Sequence, residues 1–291
     1  MNFSTFKNTG GVQMMKSFLL ESLYKKYNIA NLKFGTIHDK LGDLYEEYCV
    51  LILENKEFLQ SFKNENSCDS IEFEIFKKIL HVNLITTDVA QGISVIEATT
   101  KIPHRTTHGQ SKTDVIMRVY FDNGDIKEFP ISCKQTTVPK MAFAEFDVDT
   151  ICKEVKITDE RLKELMLKHQ IDKSAKNFTA EEKKELRERL QPIAKNFVRW
   201  VVTGSPEQNP DGIVFPKSIV KFKLKKPADK NNINVSNGDF ELLSVVAHTV
   251  EEYVDSIMLT PQGNVRAGGF GTGLSWTYAT GSGGFKIQFK A

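Results

Sequence analysis

Cysteine is scarce in this chain, and the cysteines present lie far apart. They are Cys49, Cys68, Cys133 and Cys152. They form no Cys-x-x-Cys pair and have no histidine nearby at zinc-ligand spacing, which argues against a structural zinc site. Scattered thiols of this kind are typical of proteins from a reducing compartment. We therefore predict free thiols in a cytoplasmic protein.

Long apolar runs are also missing. No stretch approaches the ~20 residues that an apolar helix needs to cross a bilayer. The N-terminal residues MNFSTFKNTGG lack the basic-then-apolar pattern of a secretory signal. Both absences predict a soluble protein with no membrane partner.

Net charge is small, because 39 basic side chains nearly balance 37 acidic ones and leave +2. A nucleic-acid-binding protein of this composition has to concentrate its positive charge on one face. Apolar residues make up 40% of the 291 residues, which is enough to bury a sizeable core. We predict a single elaborated domain over residues 1–291, with a core plus a helical subdomain as the alternative.

The first part of the chain has the apolar spacing of helices. Residues 14–83 repeat apolar side chains at intervals of three and four, which predicts a helical N-terminal part. Within it we expect helices at residues 14–29, 37–62 and 71–82. Residues 90–112 are rich in Thr, Gly, Gln and His and show no period, so they are predicted to form an irregular connection.

A β-hairpin is predicted over residues 113–136. Two alternating runs, TDVIMRVYFD and DIKEFPISCKQTT, flank Asn123 and Gly124. An Asn-Gly pair between such runs is a strong signal for a tight hairpin turn. Pro130 has no N–H to donate, so its run is predicted to lie at a sheet edge or to carry a bulge.

The second half of the chain mixes helical and strand patterns. Residues 140–203 are predicted to be mainly helical, and Thr179 with Glu182 forms the pattern of a capping box. Residues 264–291 are glycine-rich, aromatic and basic, unlike the rest of the chain. The remaining predicted elements are strands at residues 212–224 and 240–248 and a helix at residues 249–257.

The predicted hairpin brings chemically useful side chains together. The start of one antiparallel strand lies opposite the end of the other, so Asp114 faces residues 132–134. Side chains alternate along a strand, so Ser132 and Lys134 share a face and Cys133 points away. A carboxylate suits Mg²⁺, and a backbone carbonyl such as that of Cys133 can add a ligand. Bound metal activates water for phosphodiester hydrolysis, and Lys134 can orient or help deprotonate that water.

An aspartate and a lysine on one sheet are common, so these residues alone do not identify a nuclease. Their spacing, Asp114 followed by Ser132-x-Lys134, resembles the PD-(D/E)xK nuclease core in a variant form. Other segments resemble the MspI-type type II restriction endonucleases in the same order. They are LGDLYEEY (41–48), SKTDVIMR (111–118), AEFDVDTIC (144–152), residues 157–179, FVRWVVT (197–203), GFGTGLSWTYATGS (269–282) and QFK (288–290).

The resemblance implies the fold class. It is a restriction-endonuclease-like α/β fold, with a mixed central sheet flanked by helices. Helical insertions and a glycine-rich C-terminal segment that recognises DNA are expected to complete it.

The resemblance also implies roles in the predicted site. Asp114 matches the family's metal-binding aspartate and Lys134 its catalytic lysine, with Mg²⁺ as the cofactor. Ser132 stands where the family has asparagine, and its hydroxyl is a weaker ligand than a carboxylate. Glu46 occupies a matching helical position and is expected to complete the site through water; an ordinary surface glutamate is the alternative.

A second set of residues is predicted to contact double-stranded DNA. Lysine can donate to guanine, and hydroxyl and amide groups can contact several base edges. Residues that match the family's base-recognition positions are Thr277, Thr280, Gln288 and Lys290. Candidate phosphate contacts are Lys112, Lys140 and Arg266, together with His104, Arg105 and His108. The alternatives are a flexible glycine-rich tail and ordinary solvated charges.

The function implied by the resemblance is that of a magnesium-dependent type II restriction endonuclease. It is expected to cleave duplex DNA at a short palindrome, CCGG, beside a cognate DNA methyltransferase in the bacterial cytoplasm. The methyltransferase is a functional and not a physical partner, and the enzyme itself is a monomer or a homodimer. Two other functions stay open: sequence-specific binding without cleavage, caused by the change at Ser132, and a non-specific PD-(D/E)xK repair nuclease.

Overall fold

The computed structural model describes residues 17–32, 34–104, 111–229, 233–235, 238–259, 269–278 and 285–291. Its backbone divides into two compact units. The first unit draws its described residues from Met1–Pro103, Thr113–Val138 and Ser218–Ala247, and the second from His104–Lys112, Pro139–Lys217 and His248–Ala291. The single domain predicted over residues 1–291 stays a prediction. Within the described part of the chain, no helix is long and apolar enough to cross a membrane.

The helices and strands follow one another in a mixed order. In chain order they are α1 (Phe18–Lys26), α2 (Phe34–Leu53), α3 (Lys56–Lys63), α4 (Ile71–Val82), α5 (Thr87–Gln91), β1 (Ile93–Thr99), β2 (Val115–Phe121), β3 (Ile126–Thr136), β4 (Ala142–Phe146), α6 (Val148–Val155), α7 (Glu160–Asp172), α8 (Ala180–Leu190), α9 (Ala194–Thr203), β5 (Ser218–Leu224), β6 (Leu242–Thr249), α10 (Val250–Met258), β7 (Ser275–Tyr278) and β8 (Ile287–Lys290).

The N-terminal helices begin at side-chain caps. Ser17 accepts a backbone N–H hydrogen bond and caps α1. Of the helix predicted at residues 14–29, residues 14–16 lie outside the described residues, and α1 ends at Lys26, earlier than predicted. Asn55 accepts two backbone N–H hydrogen bonds and starts α3 as a new helix. The predicted single helix at residues 37–62 is therefore wrong, because the asparagine side chain offers the backbone an alternative to continued helix. The prediction of a helix at residues 71–82 is confirmed by α4.

The core of the first unit lies between α2 and β5. Tyr45 and Tyr48 of α2 contact Phe222 of β5, with ring centroids 4.8 and 6.2 Å from that of the phenylalanine. All three side chains are almost completely buried. Burying an aromatic side chain stabilises a fold by about 1.5–3 kcal/mol, so this contact holds α2 firmly on the sheet. Glu46 belongs to the same helix, so its position is fixed together with that of α2 on the sheet.

The sheet of the first unit has the strand order β1-β2-β3-β5-β6. The pairs β1–β2 and β2–β3 are antiparallel and β3–β5 is parallel, which confirms the predicted mixed sheet. β2 and β3 form the predicted hairpin, and Gly124 in its turn has a φ of 89° that favours glycine. The irregular connection predicted at residues 90–112 is wrong for β1, because its β-branched residues ISVIEAT pair with β2.

Pro130 occupies a position that is an edge only locally. Its strand, β3, has neighbours on both sides, so the prediction of an edge strand is wrong. Pro130 itself pairs with Ile116 of β2, whereas pairing with β5 begins one residue later, at Ile131 and Ser218. A proline is tolerated here because pairing with β5 has not yet begun at residue 130, so β5 does not need the N–H that proline lacks.

The second unit contains an antiparallel sheet of order β4-β8-β7 together with helices α6–α10. The prediction that residues 140–203 are mainly helical holds for α6–α9 and is wrong for β4. Its residues AFAEF become a strand because they pair with β8, a partner more than a hundred residues away in sequence. On one face of this sheet, Trp276 and Phe289 pack against Phe197 of α9, with ring centroids 5.9 and 5.2 Å from that ring. Trp276 therefore belongs to the packed interior between this sheet and α9.

Candidate active site

Asp114 is the centre of a cluster in the first unit. It directly precedes β2, and its Oδ2 atom accepts hydrogen bonds from three groups near the end of β3. They are the hydroxyl of Ser132 at 2.9 Å, the backbone N–H of Cys133 at 2.8 Å and the ammonium of Lys134 at 2.7 Å. The hairpin register thus brings together the residues that the sequence pattern singled out. Their roles in catalysis stay predictions.

The cluster is shielded from water without being closed. The side chains of Asp114 and Lys134 are 17% and 22% exposed, and Ser132 is 1% exposed. A charged hydrogen bond in such surroundings is stronger than the same pair on an open surface, because fewer waters compete for it. Asp114 is therefore held in one orientation by partners on a rigid strand.

Cys133 has its side chain on the opposite face of the sheet. The thiol is buried in the core of the first unit and contacts Cys49, and this contact together with burial raises the pKa of Cys133. The predicted alternation of Ser132, Cys133 and Lys134 is thereby confirmed. All four cysteines of the chain are free thiols in the structure.

Glu46 of α2 belongs to the same neighbourhood. Burial and the negative charge of Asp114 together raise the pKa of Glu46 to about 7, and the positive charge of Lys134 opposes the shift. The three groups are thus close enough for their charges to interact. This placement agrees with a carboxylate beside the cluster, and the role of Glu46 stays a prediction.

The donor atoms fit a hard divalent cation that keeps much of its water. Among the described residues, no group of three or more His, Cys, Asp and Glu side chains could hold a metal ion. Mg²⁺ commonly needs only one or two carboxylates, because waters and substrate phosphate complete its shell. The three donors to Asp114 all bind Oδ2. Oδ1 therefore remains available as a metal ligand, Glu46 is a nearby carboxylate, and the carbonyl of Cys133 stays a predicted ligand.

Lys221 is a residue of this neighbourhood that the sequence patterns did not single out. In the parallel pair β3–β5 it is the direct partner of Lys134. Burial lowers the pKa of Lys221, and the positive charge of Lys223 adds to that effect. The alternation of lysines with apolar residues in SIVKFKL was a usable signal, since it predicts one basic face on this strand.

The second unit carries the candidate base-recognition residues. Register places Thr277 of β7, Gln288 of β8 and Glu145 of β4 in one line across the sheet, which we call the recognition row. The hydroxyl of Thr277 donates to the carbonyl oxygen of Gln288 at 3.1 Å, and the Gln288 amide donates to Glu145 at 3.5 Å. Sequence patterns missed Glu145, which only the pairing of β4 with β8 brings beside Gln288.

The other candidate DNA contacts have different surroundings. Lys290 lies on the same face as Gln288, one alternation further along β8, and is partly exposed. Lys140 donates to the hydroxyl of Ser275 at 2.7 Å, and Lys112 donates to the carbonyl oxygen of Phe143 at 2.5 Å. Both ammonium groups are therefore engaged within the second unit. His104 is exposed, whereas Thr280, Arg266, Arg105 and His108 lie outside the described residues.

The geometry of this chain is shared with proteins of known activity. A model of the family described as restriction endonuclease MspI matches residues 24–291. This chain belongs to the MspI family of restriction endonucleases. A relative in the family, the type II restriction enzyme MspI of Moraxella sp, is 35% identical over 279 residues, which cover 95% of this chain and all of that protein.

A solved structure of the MspI family agrees with the fold. The crystal structure of restriction endonuclease MspI in complex with its cognate DNA matches with a TM-score of 0.80 and 34% identity, over 95% of this chain and 100% of that one. The predicted fold class and the predicted type II restriction endonuclease are thus confirmed. The target sequence, the metal and the roles of single residues in this MspI-family enzyme stay predictions.

Proposed function

We propose that this restriction endonuclease hydrolyses double-stranded DNA within the palindrome CCGG and uses Mg²⁺. The observation that carries the proposal is the cluster on Asp114, where a hydroxyl, a backbone N–H and the Lys134 ammonium converge on one carboxylate oxygen. The solved relative in complex with its cognate DNA supports a duplex substrate. The resemblance of the C-terminal segment to the family supports CCGG.

Each residue of the cluster would have a separate role in hydrolysis. Asp114 and the carbonyl of Cys133 would hold the metal, and Glu46 would hold water beside it. The metal, when bound, activates a water molecule and offsets the charge on the phosphate. Lys134 orients the attacking water and places its positive charge beside the phosphate oxygens as negative charge builds up there. The attacking water loses a proton to solvent as its oxygen bonds to phosphorus, one ester P–O bond breaks, and the leaving oxygen takes up a proton from solvent.

Ser132 has a positioning part in this mechanism. Its hydroxyl donates to the same oxygen of Asp114 as Lys134 does, so the carboxylate cannot rotate away from its place beside β3. The amide found at this position in the family would reach further and could itself contact metal-bound water. Serine therefore supports the site through Asp114, and we expect catalysis to persist with it.

Target recognition is proposed to come from the second unit. Thr277, Gln288 and Lys290 would contact base edges, with Lys290 donating to guanine O6 or N7. Thr280 would contribute in the same way, and Arg266 would contact phosphates. Lys112 and Lys140 would bind phosphates by exchanging their bonds to Phe143 and Ser275 for bonds to DNA.

The biological setting follows from the activity. A nuclease that cuts a four-base site must be accompanied by a methyltransferase that protects the host genome. We propose that the two act independently in the bacterial cytoplasm. The enzyme acts as a monomer or a homodimer, and light scattering on the CCGG duplex complex distinguishes these states.

Cleavage of an unmethylated plasmid tests the proposal directly. With Mg²⁺ we expect discrete fragments whose ends map to CCGG, and with EDTA or with Asp114→Asn we expect intact plasmid. A smear of fragments would identify a non-specific nuclease. An intact plasmid with Mg²⁺, together with a gel shift specific for CCGG, would identify a binding protein that has lost catalysis through Ser132.

A further inference from the structure

Lys221 lies beside the catalytic cluster on the same face of the sheet. Parallel register pairs it with Lys134, and paired residues on neighbouring strands point to the same side. Adjacent strands are about 4.8 Å apart, so the two lysines leave the sheet next to each other. The next lysine on this face, Lys223, lies two residues further along β5 and pairs with Thr136.

The two paired lysines differ in what holds their charge. The ammonium of Lys134 is 2.7 Å from Asp114, so an anion already accompanies it. Lys221 is half-buried, and within the described residues it forms no hydrogen bond or ion pair. An ammonium that has lost part of its hydration gains most from an external anion, because its desolvation cost is already met in the folded protein.

We propose that Lys221 binds a non-bridging oxygen of the phosphate next to the scissile one and so positions the cleaved strand. The inference rests on the proposed function, because it takes the neighbouring Lys134 to mark the scissile phosphate. Successive phosphates of one DNA strand are one nucleotide apart, and neighbouring strands of a sheet are about 4.8 Å apart, a difference that the flexible four-carbon stem of lysine can span. Two adjacent lysines therefore match two adjacent phosphates.

Lys223 provides a matched control on the same strand. It points to the same face as Lys221 but is exposed, so its ammonium keeps its hydration and has less to gain from an anion. Lys225 is unsuitable as a control, because its ammonium lies 3.8 Å from the carboxylate of Glu241. The comparison is thus Lys221→Met against Lys223→Met, in which both variants lose one charge and keep an unbranched apolar stem.

The test measures binding of a CCGG duplex in EDTA as a function of salt. We expect Lys221→Met to weaken binding about tenfold and to lower the slope of log K against log salt by about one, as for the loss of one phosphate contact. Lys223→Met should change neither by a comparable amount, and Lys221→Arg should restore both. A merely structural role would leave the salt slope unchanged.

A set of duplexes with single methylphosphonates locates the contact. Neutralising the phosphate next to the cleavage position should weaken the wild-type enzyme and leave Lys221→Met unaffected. Equal effects of every methylphosphonate on both proteins, or an unchanged salt slope, would overturn the inference. A wild type that binds CCGG without cutting would overturn the proposed function alone, and the binding data would still decide the role of Lys221. A wild type that does not bind would overturn both.

Discussion

The cluster on Asp114 in the first unit and the recognition row in the second differ in the kind of side chain they present. Asp114 and Lys134 carry opposite charges held 2.7 Å apart in partial shelter from water. Thr277 and Gln288 are neutral: the Thr277 hydroxyl donates to the carbonyl oxygen of Gln288, and the Gln288 amide donates to Glu145, the charged member of the row. Hydrolysis needs charge at a fixed point, because negative charge builds up on the phosphate. Base recognition needs directional donors and acceptors, since bases differ in pattern and not in charge.

The largest effect on cleavage is expected when a member of the cluster on Asp114 is removed. Asp114→Asn or Lys134→Ala is expected to reduce the rate of cleavage at CCGG by at least about 1000-fold, because water activation and charge compensation are lost together. Binding of the duplex in a gel shift should change little. Lys127→Ala, on an exposed position of the same strand, is the control. If either cluster variant still cuts at the wild-type rate, the active centre lies elsewhere in the protein.

The burial of His169 among aromatic rings should make the stability of the second unit depend on pH. His169 is buried against Trp276 and Phe270, and burial lowers the pKa of His169 from 6.5 to about 4, opposed by the charge of Asp172. The hydroxyl of Tyr278 lies 2.7 Å from the carbonyl oxygen of His169 and 2.7 Å from the Nδ1 atom of His169. Because burial favours the neutral form of His169 in the folded protein, the unfolded chain binds more protons at this residue than the folded chain does between pH 4 and pH 6.5.

The stability contributed by neutral His169 is therefore fully present above pH 6.5 and is lost as the pH falls toward 4. The free energy of unfolding should drop by about 3 kcal/mol over that window on account of this group. Urea unfolding followed by tryptophan fluorescence measures it, with His169→Gln as the comparison. If the wild type and this variant lose stability in parallel, the histidine is not the cause.

Changes in the base-recognition residues should affect specificity and leave the chemistry intact. Gln288→Ala or Lys290→Ala is expected to cost about 1–3 kcal/mol of discrimination between CCGG and sites with one base changed. The measurement is kcat/KM on each duplex, and Lys286→Ala, exposed in the segment before β8, is the control. An equal loss of kcat/KM on every duplex would show that these residues contact phosphates and not bases.

The smallest effect is expected at Ser132. Ser132→Ala removes one of three donors to Asp114 and should slow single-turnover cleavage about fivefold, the equivalent of one hydrogen bond of about 1 kcal/mol. Cys133 and Lys134 still hold the carboxylate. A loss as large as that of Asp114→Asn would mean that the hydroxyl binds the metal-bound water itself and that its role is more than positioning.

Prediction from sequence succeeded where the signal was local. The turn at Asn123 and Gly124 and the alternation of β2 and β3 depend on residues close together in the chain, and they sufficed to place Asp114 beside Ser132 and Lys134. Prediction failed at β1 and β4, because short strands surrounded by polar or helical sequence are stabilised by distant partners. Asn55 was missed for a different reason: an asparagine inside an apolar pattern is visible, but its capping role depends on its backbone conformation.

The sequence by itself determined the hairpin, the cluster on Asp114 and the membership in the MspI family, because their signals lie in local patterns and in the order of motifs. Only the tertiary structure decided that Lys221 stands beside Lys134 and that Glu145 completes the recognition row with Gln288. These neighbours come from strands that meet through long-range pairing. Register between distant strands is set by burial over the whole sheet, which no short stretch of sequence contains.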